Sequence, residues 1–179
     1  MKITKEKFTD ITEASLDGNT YEACDFSNLK VDYMVLSKVK FIDCNFSNCN
    51  FTDCGLHDCH FKNCNLLGTS LINCTLKNVN ILSCLGSYLN IGGTILEKVQ
   101  FTDSNVKEMR LVNNSIRNTT FSACNMSKLT LSDTRLKGVD LSTCDISGMI
   151  FKPFDVVGCQ VSANQAVEMI KNFGVIVKF

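Results

Sequence analysis

The sequence predicts an all-β solenoid of short extended segments and corners, followed by a short C-terminal α-helix. An apolar residue stands at every fifth position from Ile11 to Val161, and Gly86 is the one exception among 31 positions. A small or aliphatic residue usually lies two positions before each apolar centre, and Asn, Asp or Gly often lies two positions after it. Two inward positions in five fit neither a helix nor a long strand. Each pentapeptide is therefore expected to be an extended segment that ends in a corner.

The composition fits one folded domain. The chain has 179 residues, with 18 basic and 18 acidic side chains and 45% hydrophobic residues. No run approaches the roughly 18 apolar residues of a membrane span, and the charged residues 1–8 lack the apolar core of a signal peptide. We therefore expect a cytoplasmic protein without membrane contact. The balanced charge lacks the basic excess of a nucleic-acid-binding domain, so no direct nucleic-acid partner is expected.

All the cysteines lie two positions before an apolar centre, where the register predicts inward side chains, as it does for Ala14. They are Cys24, Cys44, Cys49, Cys54, Cys59, Cys64, Cys74, Cys84, Cys124, Cys144 and Cys159. A metal site near His57 and His60 is one alternative, but successive cysteines should lie on successive sides of the solenoid, and zinc needs four converging donors. The interpretation of the cysteines as a disulfide framework has little support, because the sequence shows no export signal. We interpret the cysteines as small buried hydrophobic residues and expect no metal or cofactor.

Individual repeats resemble a known family. Residues 44–48 read Cys-Asn-Phe-Ser-Asn and residues 124–128 read Cys-Asn-Met-Ser-Lys, and both are similar to the unit of the pentapeptide-repeat family. The resemblance covers about residues 11–161. It implies a right-handed, four-sided (quadrilateral) β-helix in which four pentapeptides form one coil of twenty residues.

The residue types found twenty positions apart support a four-sided coil. If such residues stack in columns, one column of apolar centres is mostly aromatic and another is aliphatic. The first column holds Tyr21, Phe41, Phe61, Ile81, Phe101, Phe121 and Leu141, and the second holds Leu16, Leu36, Leu56, Leu76, Leu96, Ile116, Leu136 and Val156. At a spacing of about 4.8 Å, nearly eight coils would form a rod of roughly 37 Å.

The chain is expected to have three parts: residues 1–10 as an N-terminal segment or cap, residues 11–161 as the β-helix, and residues 162–179 as a C-terminal helix and strand. Ser162 and Gln165 have the spacing of a capping box that begins a helix. Gly174 suits the position after the helix, and the following Val-Ile-Val at residues 175–177 is expected to form a short strand.

The C-terminal part is similar to that of the Qnr-type quinolone-resistance proteins, in which it joins two rods end to end. The resemblance implies a homodimer interface at Ala166, Met169, Ile170, Phe173, Val175 and Val177. Phe179 would add further apolar surface. The alternative is a cap that covers the last coil of a monomer.

Function is expected on the outer surface, since no catalytic constellation is evident in the sequence and no enzymatic activity is expected. The resemblance to Qnr-type proteins implies a DNA-mimicking rod that binds DNA gyrase or topoisomerase IV. Mimicry needs negative charge along the rod. The sides centred on Tyr21 and Phe26 carry the candidate partner-binding residues Glu22, Asp25, Asp43, Asp103, Glu108, Asp140 and Asp145. The alternative is a structural rod with an unrelated protein partner.

The side centred on Leu16 is basic by contrast. It carries Lys38, Lys77, Lys98, Arg117, Arg135 and Lys137 against Asp17, Asp58, Glu97 and Asp155. The sequence therefore predicts a rod whose sides differ in charge.

Gly86 interrupts the apolar register. We expect a local bulge in which Leu85 turns inward and replaces the missing centre, since glycine often marks such irregularities. The alternative is a docking patch formed by the outward side chains of Leu82, Leu85, Tyr88 and Ile95.

Overall fold

The computed structural model describes residues 1–11 and 16–178. This part of the chain contains 18 short β-strands, one 3-10 helix at Pro153–Val156 and one α-helix, α1, at Ala163–Lys171. The strands are β1 (Lys2–Thr4), β2 (Thr20–Glu22), β3 (Lys30–Asp32), β4 (Val35–Ser37), β5 (Lys40–Ile42), β6 (Asn50–Thr52), β7 (Gly55–His57), β8 (His60–Lys62), β9 (Ser70–Ile72), β10 (Thr75–Lys77), β11 (Asn80–Leu82), β12 (Asn90–Gly92), β13 (Ile95–Glu97), β14 (Gln100–Thr102), β15 (Arg110–Val112), β16 (Ser115–Arg117), β17 (Thr120–Ser122) and β18 (Thr130–Ser132). None of the described helices is long and apolar enough to cross a membrane.

The strands form the sides of a four-sided solenoid. Face A, the side centred on Tyr21, is the sheet β1-β2-β5-β8-β11-β14-β17. Face C, centred on Val31, is the sheet β3-β6-β9-β12-β15-β18, and face D, centred on Leu36, is the sheet β4-β7-β10-β13-β16. Face B, centred on Phe26, is joined by single parallel bridges. All these pairings are parallel, and beyond the first coil the partners are twenty residues apart, which confirms the predicted four-sided β-helix.

The apolar centres fill the interior, as predicted. Those from Leu16 to Ile146 are buried, except that Ile116 is partly exposed. Aromatic rings stack from one coil to the next, with ring centroids 4.7 Å apart for Phe26 and Phe46. Stacked rings at this spacing stabilise the fold by more than the burial of their apolar area alone.

The predicted corner positions adopt the left-handed backbone conformation. Asn48 has a φ of 58° and Gly68 a φ of 66°. Asn, Asp and Gly tolerate this conformation best. Lys38, Lys98 and Lys128 adopt it as well, so the corner does not dictate a single residue type.

The predicted bulge at Gly86 is wrong. Leu85 keeps the bridge pattern of its column, and its side chain is 61% exposed rather than turned inward. A Cβ atom on Gly86 would lie 3.2 Å from Val106 Cγ1 and 3.7 Å from Leu66 Cβ. Val106 therefore packs closely against Gly86, and the register continues without an extra residue.

The N-terminal residues extend the solenoid. β1 pairs with β2, so that Ile3 lies beside Tyr21, and the first coil is two residues shorter than the others. The Phe8 ring stacks on Phe26 with the centroids 4.4 Å apart. Ala14, predicted to point inward, lies outside the described residues.

The C-terminal end departs from the repeat. Single bridges continue to Gln160 after the last strand. The predicted capping box is confirmed, because Ser162 Oγ accepts a hydrogen bond from the Gln165 amide and Gln165 Oε1 accepts one from the Ser162 amide. The predicted strand at residues 175–177 is wrong: they pair with no strand in the described structure. Phe179 lies outside the described residues.

Candidate interaction surfaces

The cysteine thiols belong to the interior. Ten are buried, Cys159 is half-buried, and all are free. Seven donate a hydrogen bond to a carbonyl oxygen 23 positions earlier, such as Cys49 to Phe26 at 2.8 Å. Thr69 and Thr94 form the same bond with their hydroxyls. The inward position thus favours a short donor as well as a small volume, which the sequence analysis missed.

The pKa values of the buried thiols shift in both directions, and the histidines lie apart from them. Desolvation raises the pKa of Cys49 and of Cys59 to about 11, whereas hydrogen bonds with Cys64 and Cys74 lower the pKa of Cys44 and of Cys54 to about 7. Burial limits the access of a reagent to all of them. His57 lies on face D, whereas His60 lies on face A with Nδ1 3.0 Å from Asn80 Nδ2. Among the described residues, no group of His, Cys, Asp or Glu could hold a metal ion.

The seven predicted acidic residues lie on faces A and B and the corners beside them, but three of them contact lysines. The pairs are Glu22 with Lys2, Asp25 with Lys7 at 3.7 Å, and Glu108 with Lys128 at 3.6 Å. Lys2 and Lys7 precede the repeat, so the charge pattern of residues 11–161 did not include them. The negative charge of this side is weaker than the repeat alone suggests.

The other four acidic residues, Asp43, Asp103, Asp140 and Asp145, are exposed and form no ion pair with any described residue. The carboxylates of Asp140 and Asp145 accept hydrogen bonds from the Ser142 and Ser147 amides at 2.8 and 2.9 Å. The bond from the Ser142 amide holds the pKa of Asp140 below its usual value. We call these four residues the acidic side.

Face D carries the opposite charge between residues 75 and 138. Its exposed bases are Lys77, Lys98, Arg117, Arg135 and Lys137, and Glu97 is the acidic residue among them. Asp155, which the sequence pattern assigned to this surface, is only 2% exposed and accepts a hydrogen bond from the Lys152 amide. We call the five bases the basic strip.

Large apolar side chains remain exposed around Gly86. Leu82, Leu85 and Tyr88 lie along face A, face B and the next corner, whereas Ile95 lies on face D. Leu85 interrupts a column of asparagines; in Asn45 and Asn65, Oδ1 accepts a hydrogen bond from the amide two positions later. The structure therefore keeps three of the four predicted residues in one surface region.

One side of α1 covers the last coil. Gln165 Nε2 donates hydrogen bonds to the carbonyl oxygens of Leu141 and Cys144 at 2.9 and 2.7 Å, and Asn172 Nδ2 donates one to Met149 at 2.9 Å. Gln165 was expected only as part of the helix cap, and the contact of Asn172 was not predicted. Exposed polar side chains at helix ends give no sequence signal for such contacts.

The predicted dimer residues divide between two sides of this C-terminal part. Met169 packs against the interior of its own chain, and Val177 is half-buried. Ala166, Ile170, Phe173 and Val175 are exposed, and Phe173 also contacts Phe151 with the ring centroids 5.8 Å apart. Ile176, which was not predicted, is exposed beside them.

Comparison with solved structures gives matches to QnrB1 and HetL. A trypsin-treated variant of QnrB1, a plasmid-mediated fluoroquinolone resistance protein, has a TM-score of 0.52 and 21% identity, covering 99% of this chain and 98% of that chain. Full-length QnrB1 has a TM-score of 0.46 and 21% identity, covering 97% of each chain. HetL, from the cyanobacterium Nostoc sp. strain PCC 7120, has a TM-score of 0.34 and 11% identity, covering 80% of this chain and 87% of that chain.

Sequence families give the assignment. Comparison with curated protein sequences found no significant match. Residues 34–111 match the family described as "Pentapeptide repeat region", and residues 115–151 match "Pentapeptide repeats (8 copies)". These matches agree with the five-residue register and the four-sided coil, and the chain belongs to the pentapeptide-repeat family.

Proposed function

We propose that this protein is a non-enzymatic binding rod that interacts with DNA gyrase or topoisomerase IV as a mimic of duplex DNA and protects the enzyme from quinolones or toxins. The observation that carries the proposal is the fold shared along 99% of the chain with QnrB1, a plasmid-mediated fluoroquinolone resistance protein. The acidic side supplies the negative charge that a basic DNA-binding groove would attract at long range.

The lysine pairs beside the acidic side do not prevent such an interaction. All three pairs are at least partly exposed to solvent. Exposed ion pairs contribute only about 0–1 kcal/mol. A basic groove on a partner can therefore compete with Lys2, Lys7 and Lys128 for these carboxylates.

The test is DNA supercoiling by purified gyrase, with and without a quinolone. We expect the protein to inhibit supercoiling or to protect the enzyme at low micromolar concentration. The double variant Asp43→Asn/Asp103→Asn removes two charges of the acidic side at corners that asparagine occupies elsewhere in the chain. We expect it to lose several-fold in potency, with the largest loss at low salt.

The matched control is Asp53→Asn/Asp58→Asn. These residues occupy the same corner position with a φ of 54°, but they lie beside faces C and D. The control should retain full potency. An inactive parent protein at low salt, or equal losses in both variants, would contradict the proposal.

We also propose a homodimer through the exposed side of α1 and the residues after it. Ala166, Ile170, Phe173 and Val175 leave an apolar surface at one end of the rod, and a second copy related by a two-fold axis would cover it with the same surface. The alternative, a cap on a monomer, is also compatible with the contacts of Gln165.

Light scattering tests the dimer. Ile170→Asp/Phe173→Asp would place charges in the apolar contact, so we expect half the parent mass with the β-sheet circular dichroism retained. Asn164→Asp/Lys171→Asp puts the same carboxylates on the polar side of α1 and should leave the mass unchanged. A parent protein that is already monomeric at tens of micromolar would exclude the dimer.

A second candidate function is a structural rod with an unrelated protein partner. The exposed Leu82, Leu85 and Tyr88 favour it, because they form an apolar region that a protein partner could cover. If the protein has no effect on gyrase or topoisomerase IV at low salt, the second candidate function is favoured over the first.

A further inference from the structure

The basic strip on face D has no role in DNA mimicry, and it lies on the side of the rod opposite face B. We propose that this strip binds the phosphodiester backbone of a nucleic acid. The balanced total charge argued against such a partner, but the distribution of charge differs from the total. Because Asp155 is buried, the strip faces solvent with five bases and one acidic residue.

The bases are spaced along the rod. Lys77, Arg117 and Lys137 occupy one column, at the same position in different coils, and Glu97 lies between the first two. Lys77 and Lys137 are three coils apart, which corresponds to about 14 Å at 4.8 Å per coil. A nucleic-acid strand that advances about 3.4 Å per phosphate presents roughly four phosphates over this length.

The charges of the strip are unpaired. None of its five bases forms an ion pair with a described residue. Asp133, at the border of the strip, is paired with Lys152 at 3.0 Å. The positive charge of the strip is therefore available to an anionic ligand.

Arg135 is held in place for such a contact. Its guanidinium carbon lies 4.0 Å from the centre of the Phe154 ring. Stacking on the ring orders the guanidinium plane, and an ordered guanidinium suits bidentate contact with a phosphate. Phe154 is 58% exposed, so its ring can also contact a base in a single strand.

The sheet of face D opens near the C-terminal end of the strip. β16 is the edge strand of that sheet, and residues 134–136 form no strand beside it. Ile116 is accordingly half-exposed, while Leu96 and Leu136 in the same column are buried. The opening is a surface depression of about 290 Å³, lined by Asn114, Ser115, Ile116, Asp133 and Arg135. It gives a phosphate group a recess beside Arg135, where the Asp133 carboxylate is already paired with Lys152.

Fluorescence anisotropy with labelled single-stranded and double-stranded oligonucleotides tests the proposal. We expect binding at about 50 mM salt that weakens steeply towards about 200 mM, because each phosphate contact releases counterions. The variant Arg117→Gln/Arg135→Gln/Lys137→Gln should bind at least about ten-fold more weakly and with a shallower salt dependence, since it loses up to three such contacts.

The matched control, Lys40→Gln/Lys62→Gln/Lys107→Gln, removes the same charge from faces A and B, where these lysines are also unpaired among the described residues. It should retain most of the affinity. No binding by the parent protein at about 50 mM salt, a salt concentration at which phosphate contacts are strong, would overturn the proposal, and so would equal losses in both variants.

Competition distinguishes a nucleic acid from an acidic protein. When the two competitors are compared at the same concentration of negative charges, unlabelled oligonucleotide should displace the labelled one more effectively than polyglutamate does. Equal displacement by polyglutamate would overturn the assignment to phosphodiesters. The basic-strip variant should retain its effect on gyrase, because its substitutions leave the acidic side intact, so this proposal can fail independently of the proposed function.

Discussion

The interior and the outer surface follow the same five-residue register, but the register restricts them to different degrees. Inside, Phe26, Phe46 and Leu66 must each fill the space between neighbouring coils, and the inward polar side chains must donate to a backbone carbonyl. Outside, one column holds Lys77, Glu97 and Arg117 in consecutive coils, so position is fixed while charge is free to vary. The interior therefore reveals the fold, and the function depends on surface residues that the repeat does not dictate.

The largest expected difference between the two regions is at neighbouring residues of β8. Phe61→Ala would leave a cavity beside Phe41, whose ring centroid is 5.0 Å away, and should lower the free energy of unfolding by about 3–5 kcal/mol. Lys62→Ala should change it by less than about 0.5 kcal/mol because the side chain is exposed. Urea denaturation measures both. A small loss at Phe61 would contradict the inward register.

High pH should weaken the interior through the thiol of Cys59. Burial raises the pKa of Cys59 from the usual value of 9.0 to about 11, so the unfolded chain releases this proton first. The contribution of the protonated thiol to the free energy of unfolding is complete below about pH 9. It is lost as the pH rises to about 11, and the loss reaches up to about 3 kcal/mol.

The comparison variant is Cys59→Val, because Val39 and Val79 occupy the same column in the adjacent coils. Urea denaturation between neutral pH and pH 11, the upper value set by this pKa, should show a smaller loss of stability in the variant than in the parent. The same loss in both proteins would mean that Cys59 does not titrate as its burial requires.

Asn114 tests the polar part of the interior. Its Nδ2 donates to the Ile91 carbonyl oxygen and its Oδ1 accepts from the Thr94 amide, both at 2.9 Å. Asn114→Ala should lower the free energy of unfolding by about 1–3 kcal/mol, because buried partners lose their hydrogen bonds. Ser115→Ala, at an exposed neighbour, should be close to neutral in the same denaturation experiment. Equal losses of stability in the two variants would contradict the assignment of Asn114 to the interior and Ser115 to the surface.

The smallest effect is expected at Leu85. Leu85→Asn restores the asparagine found at the same position in neighbouring coils and should change the free energy of unfolding by less than about 0.5 kcal/mol. Thermal denaturation measures this change, with Leu66→Asn as the buried control. A large loss at Leu85 would show that the interior, rather than the surface, needs this side chain.

The sequence was sufficient for the coil because its inward positions repeat without insertion. It placed the apolar centres, the cysteines and the capping box of Ser162 and Gln165 correctly. It was wrong at Gly86, because periodicity cannot show how closely Val106 of the next coil packs against a residue without a side chain. It was also wrong about a strand at residues 175–177, since β-propensity does not supply a neighbouring strand.

Candidate surfaces were less predictable. The repeat register assigned each acidic residue to a side, but it could not show that Lys2 and Lys7 reach Glu22 and Asp25 from outside the repeat. Burial of Asp155 and the stacking of an arginine on an aromatic ring depend on the last, irregular coil, where the register no longer determines side-chain direction. Long-range contacts of this kind require the three-dimensional structure.

Thiol labelling tests the inward register most directly, because every surface described above depends on it. In the native protein, the ten buried cysteines should react slowly with a thiol reagent, and half-buried Cys159 should react first. Denatured protein should titrate all 11 thiols. Fast native labelling anywhere from Cys44 to Cys64, identified by mass spectrometry of the modified peptides, would contradict the four-sided coil and the assignment of faces that rests on it.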